Sequence, residues 1–310
     1  MAILFSNEIM DAVVKELHKA TDSVQIITAY CKEKTFRYLD SEIGSEVKEK
    51  KLLVRFRLDD VLKDSTDFGI LRYGLEHCWK VYIRFDLHAK TYIVDNKRGL
   101  VGSANVTNSG LNIGKSGNIE MAAFVGIEPT DIGKITRLFK DAILVDESIL
   151  ENLKRQFDSV KRMEDMKCYR WDDTIMKLFN PHVDTLFSYE LPDEFDFKPG
   201  AYFQFLDETY EGDKDKLKKS FRWSNAYLWL LDTLREHNGC MYFGELSSCL
   251  HKVVVSDPKP YRRDVKQMLA NLLRLVQELE MEEIKIDRPN YSQRIIMRKE
   301  ENNNNEYLSK

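Results

Sequence analysis

The sequence predicts an α/β domain with a mixed sheet, followed by a mainly helical domain that ends in a hairpin. Three observations predict it. Over residues 1–150, segments rich in Val, Ile, Tyr and Phe alternate with amphipathic stretches, the pattern of strands interleaved with helices. Over residues 223–299 the order is helix, helix, helix, hairpin. Between them the chain turns acidic: residues 151–213 hold 8 Lys+Arg against 15 Asp+Glu, whereas 1–150 hold 21 against 22 and 214–310 hold 18 against 14.

The expected strands at the front are 23–30, 51–57, 80–86, 89–95, 99–104 and 119–126. Asn7–Ala20 reads as a helix, with Ile9, Val13 and Leu17 one turn apart and Ser6 or Asn7 as its cap. Thr35–Leu39, Asp67–Cys78 and Pro129–Ala142 are further helices. Asn96–Gly99 reads as a hairpin connection, which makes part of the sheet antiparallel. Residues 151–222 read as a connecting helix to about 165, then an irregular acidic segment. Behind it, Ser224 caps a helix to Glu236 that Asn238–Gly239 terminates. Gly244–Lys252 and Tyr261–Glu280 are the next two helices, and 282–298 is the hairpin. The aromatics Trp171, Trp223, Tyr227 and Trp229 read as core. Residues 300–310 are low in complexity and are expected to be disordered.

Composition narrows the class. With 310 residues, 43% hydrophobic and 32% charged, the chain suits a globular protein of about two domains. Its apolar runs, such as Tyr227–Leu231, are too short to span a bilayer. The first residues lack the basic start and apolar stretch of a signal peptide, so a cytoplasmic location is expected. Five widely spaced cysteines (31, 78, 168, 240, 249) read as reduced thiols rather than as a disulfide or zinc framework. A net charge of -4 makes any nucleic-acid contact local, and the basic rear is its best place.

Residues 88–105, HAKTYIVDNKRGLVGSAN, carry the chemistry. His88, Lys90, Asp95, Gly102, Ser103 and Asn105 follow the pattern H-x-K-x4-D-x6-G-S-x-N. Six fixed positions arise by chance in about one such chain in 10⁵, so the pattern is a strong signal. On a strand beginning near Leu87, His88 and Lys90 would face one side. An imidazole and an ammonium on one face, beside a Gly-Ser turn and an Asn amide, form a receptor for phosphate. Neutral imidazole is a nucleophile. Lys90, Ser103 and Asn105 can donate to non-bridging oxygens, and Gly102 lets backbone approach closely. No cofactor or metal is called for. Asp86 and Asp95, flanked by His88, Lys90 and Lys97, make a poor cluster for Mg²⁺.

The segment resembles the HKD motif of the phospholipase D superfamily, with no departure at its fixed positions, and the resemblance extends over roughly residues 1–150. It implies a phospholipase D-like mixed-sheet sandwich, and the helix, helix, helix, hairpin order behind it reads as a mainly helical, winged-helix domain. Asn118-Ile119-Glu120 is similar to the family's N-x-E element, which implies that Glu120 orients the nucleophilic His88. The same resemblance makes Asp95 structural, bonding nearby backbone. Family members use two HKD histidines, one attacking phosphorus and one protonating the leaving oxygen. This chain has one: His18, His77, His182, His237 and His251 lack the rest of the pattern. Either two chains pair, each giving His88, or the site is inactive. A homodimer is expected.

Single-motif members with a second domain resemble metal-independent nucleases of restriction and phage defence. The expectation is therefore a homodimeric endonuclease acting on nucleic acid, DNA before RNA, with an ATPase, helicase or methyltransferase as a further partner. Arg262, Arg263 and Lys266 would line the helix that enters a groove, and Arg294 would lie on the wing. Arg55, Arg57 and Arg84 read as partnered arginines. Two alternatives stay open: a phospholipase or other small-phosphodiester hydrolase, and a non-catalytic DNA-binding or assembly protein.

Overall fold

The computed structural model describes residues 3–113, 117–160, 171–256 and 258–298. The chain forms two compact units, Met1–Asn180 and Pro181–Lys310. The expected end of the connecting helix near 165, Cys168 and the tail from 300 lie outside the described residues.

The first unit holds an eight-stranded mixed sheet. Its strands are β1 (Ile3–Phe5), β2 (Ser23–Thr28), β3 (Glu49–Arg55), β4 (Trp79–Arg84), β5 (Thr91–Val94), β6 (Arg98–Gly102), β7 (Met121–Gly126) and β8 (Ile143–Leu144). The order is β1-β7-β6-β5-β2-β3-β4-β8. β2, β3 and β4 are parallel, and every other pairing is antiparallel. All six residues of β2 are buried, because helices cover both faces of the sheet.

Ser6–Leu17, Glu33–Ser41 and Gly69–Glu76 turn Ile9, Val13, Leu17, Phe36, Leu39, Ile70 and Leu71 inward. At Gly74 a Cβ would lie 2.4 Å from Val81, so only glycine lets this helix press onto β4. A second cluster packs Ile27, Leu53, Leu87 and Ile93 against Phe139 of the helix Pro129–Lys140.

Each expected front strand is present, with its ends shifted by at most two residues. β1, β8 and the five-residue helix Leu58–Leu62 were not legible, since elements this short carry too little periodicity. The hairpin turn falls at Asp95 and Asn96, whose φ values of 54° and 51° are the positive values hairpin turns require. Ser6 begins the first helix rather than capping it. Its cap position is Phe5, whose N–H donates to Glu8.

The helix Glu147–Val160 belongs to the first unit, as does Trp171. Trp171 stacks on Phe56 at 5.8 Å and its Nε1 donates to Phe56 O at 2.6 Å.

In the second unit the helices Asn225–Glu236, Phe243–Val253 and Arg262–Glu278 pack around Trp229, Leu230, Leu250, Leu269 and Leu272. Cys240–Tyr242, Arg294–Met297 and Ile284–Asp287 form a three-stranded antiparallel sheet in that order. Helix, strand, two helices and a hairpin, with the first strand paired to the last, is winged-helix topology. The irregular segment ahead of it is tied down by an aromatic cluster of Phe195, Phe197, Phe203 and Tyr210. A further helix, Lys214–Arg222, precedes Ser224, which caps the next helix through Tyr227 N–H as expected.

Trp171 is 1% exposed. Trp171→Ala is expected to destabilise the first unit by about 3–5 kcal/mol in denaturant unfolding, the cost of emptying a large aromatic site.

Candidate active site

The site forms along one edge of the first unit's sheet. β2, β3 and β6 run toward it, and Tyr30, Arg55 and Ser103 lie at or just beyond their carboxyl ends. β5 and β7 run away from it, so Lys90 and Glu120 immediately precede their first residues. The register aligns these ends: Thr91 pairs with both Ile27 and Val101, and Gly102 pairs with Ala122. Five strand ends therefore deliver polar side chains to one row.

His88 and Lys90 lie ahead of the strand, which begins at Thr91 and not near Leu87. Here the chain bends so that Lys90 Nζ donates to His88 O at 2.7 Å. The same ammonium lies 3.1 Å from Nδ1 and 3.2 Å from Nε2 of His88. His88 is exposed while Lys90 is buried. The adjacent ammonium, with some burial and the charge of Arg55, holds the His88 pKa below its ordinary value of 6.5. Burial and Arg55 in turn lower that of Lys90, and the Glu120 carboxylate opposes this. Mutual repulsion thus favours a neutral imidazole with a free lone pair.

Glu120 is buried, and its carboxylate accepts from Ser103 Oγ and, at 3.1 Å, from Asn118 Nδ2. Its own N–H donates to Ser6 Oγ at 2.8 Å, which ties the first helix to the site. The carboxylate's hydrogen bonds thus run to Ser103 and Asn118, and the contacts of the His88 ring run to Lys90.

Asn105 Oδ1 accepts from Tyr30 N–H at 3.0 Å, an assignment that turns the amide NH₂ away from that backbone and leaves it available to donate. Gly102 is needed for strand approach: a Cβ there would lie 2.4 Å from Met121 O. Asp95 stands apart from this row, at the far end of β5. It accepts from the N–H groups of Thr21, Asp22 and Ser23, which hold its pKa below the ordinary carboxylate value against the opposing effect of burial.

Arg55 is the group whose place sequence reasoning missed. It is buried, clamped by Asp60 at 2.8 and 2.9 Å, and donates to Tyr30 Oη at 2.6 Å. Being partnered was legible; lying at the carboxyl end of a parallel strand beside His88 required the fold. Arg84 is paired with Asp86, and Arg57 donates to Phe85 O.

In the second unit, Arg262, Arg263 and Lys266 are exposed at the start of the helix Arg262–Glu278. Arg294 is instead engaged across the hairpin by a two-point pair with Asp287 at 2.9 and 2.8 Å.

Residues 8–143 match the family described as cardiolipin synthase, PLD-like domain. No curated protein matches the chain. Among solved structures it is similar to NucT from Helicobacter pylori, at 13% identity and TM-score 0.37, over 46% of this chain and 98% of that one. It is also similar to Nuc, a phospholipase D family member from Salmonella typhimurium, at 15% identity and TM-score 0.37, over 47% and 97%. Phosphatidylserine synthase from Haemophilus influenzae matches at 12% identity and TM-score 0.39, over 55% and 45%.

The His88 imidazole is expected to titrate below 6.5 in an NMR pH series. In Lys90→Met the ammonium is gone, so the midpoint should rise; an unchanged midpoint would show that Lys90 does not set it.

Proposed function

We propose that this chain, whose residues 8–143 form a phospholipase D-like domain, is a homodimeric nuclease that hydrolyses nucleic-acid phosphodiesters without a metal. The observation that carries the reading is the row itself: an exposed neutral-leaning His88, the Lys90 ammonium against it, and Ser103 and Asn105 beside it. In this reading a lone pair of His88 attacks phosphorus in line, forming a P–N bond as the P–O bond to the leaving group breaks. His88 of a second copy donates the proton that the leaving oxygen takes. It then removes a proton from water, whose oxygen attacks phosphorus and releases the first His88. Lys90, Ser103 and Asn105 hold the non-bridging oxygens. Glu120 supports the row through Ser103 and would turn to the imidazole as it becomes charged.

An apolar sheet face supports the second copy. The register puts Ile3, Phe5, Val101 and Met121 on one face of β1, β6 and β7, and all four are 43–57% exposed. The setting we infer is restriction or phage defence, in the cytoplasm, by analogy with single-motif nucleases.

The description of the matching family favours one rival, a phosphatidyl-group enzyme. No helix among the described residues is long and apolar enough to cross a membrane.

The test is cleavage of plasmid DNA in excess EDTA, with mass measured by light scattering and a phosphatidyl ester assayed in parallel. A dimer that cuts DNA, and a His88→Ala variant slower by about 10³-fold or more, would support the reading. Cleavage of the lipid alone would overturn it in favour of the rival, and undiminished DNA cleavage by His88→Ala would overturn the histidine mechanism. Arg262→Ala with Lys266→Ala is expected to weaken DNA binding at all sequences and to lower the salt slope by about 1 for each phosphate that the side chains cease to neutralise.

A further inference from the structure

We infer that the second unit carries a zinc site, formed by His182, Asp232 and Glu236 and distinct from the His88 row. Asp232 and Glu236 lie one turn apart on the helix Asn225–Glu236, and their ligand oxygens lie with His182 Nδ1 inside a single 4.8 Å cluster. Nδ1 lies 2.5 Å from Asp232 Oδ2 and 3.7 Å from Glu236 Oε1.

The other ring nitrogen points to a metal rather than to a simple ion pair. His182 Nε2 contacts the Asp184 carboxylate. A carboxylate can only accept, so this contact puts a ring proton on Nε2, and in the neutral ring Nδ1 then carries the lone pair. Metal-bound imidazoles are held in this way, with the far N–H donated to a carboxylate. Nδ1 is buried and makes no hydrogen bond, because Asp232 Oδ2 lies off the direction an N–H would take. A buried lone pair facing two carboxylates is a repulsive arrangement that either a proton or a bound metal relieves, and the convergence of three ligand atoms favours the metal.

The donor set selects the cation. One imidazole nitrogen with two carboxylate oxygens suits zinc and is the kind of three-residue set that leaves a fourth position for water. Ca²⁺ and Mg²⁺ prefer all-oxygen shells. The bound ion would link the segment entering the second unit to its winged-helix core. Val183 N–H already leans on Asp232 Oδ2 at 3.4 Å, and Val183 packs against that core. A site of this kind stabilises the folded unit by mass action as zinc is added.

The test uses the full chain, stripped with a chelator, dialysed and titrated with ZnCl₂ by calorimetry, with thermal unfolding followed in parallel. Wild type is expected to bind one zinc ion more than His182→Gln or Asp232→Asn, and to melt at a higher temperature with zinc. Asp184→Asn, at an exposed carboxylate, should fold normally and weaken that zinc by about 10–100-fold. His88→Ala should bind zinc as wild type does, so this site stands or falls separately from the nuclease reading. The same number and affinity of zinc ions in wild type and His182→Gln would overturn the proposal. So would a zinc affinity unchanged in Asp184→Asn, or a wild-type melting temperature indifferent to zinc. The last result would mark the cluster as an imidazolium clamp.

Discussion

The carboxylate of Asp95 fixes where β5 lies against β2. Asp95 closes the turn from β5 to β6 while accepting the N–H groups of Thr21, Asp22 and Ser23 at the entrance to β2. One acidic side chain thus sets two pairings at once. A slip of one residue in β5 would turn the Lys90 side chain to the opposite face and break the alignment of Thr91 with Ile27 and Val101. The site row exists because that register does not slip. A residue of the motif therefore holds the row in register from the opposite end of the strand.

The row holds like charges close together, which is costly. Arg55 and Lys90 are both buried, and Lys90 lies on the His88 ring. Asp60 and the Tyr30 hydroxyl hold Arg55, and Glu120 partly compensates Lys90. Among the described residues no carboxylate bonds the His88 ring, and its neutral form is favoured. A phosphate, which carries negative charge, would relieve the repulsion between Arg55 and Lys90. In the proposed reaction, binding and nucleophile preparation would draw on the same arrangement.

The two units divide their labour along different physical lines. The first gathers charge at the end of a sheet buried on both faces. The second is a helical core with its charge outside, where Arg262, Arg263 and Lys266 begin an exposed helix and Arg294 is spent on bracing the hairpin. Its segment from Pro181 is fastened by aromatic packing and by the carboxylates around His182.

The sequence by itself determined the alternation of strands and helices, the helix–helix–helix–hairpin order, and the identity of His88, Lys90, Ser103 and Asn105. Those are local properties: period, capping residues and the spacing of a motif within 18 residues. Tertiary structure alone decided the rest. β1 and β8 are too short to show a period and form only because an edge of the sheet accepts them. Trp171 joins the first unit because Phe56 offers it a ring and a carbonyl from 115 residues away. Arg55 reaches the site through parallel pairing, and Glu120 takes Ser103 and Asn118 as partners through the register of β6 with β7. His182, read from sequence only as a histidine outside the motif, meets Asp232 from a distant part of the chain. Pairing between distant segments is decided by the burial and register of the whole sheet or core, and no local pattern encodes it.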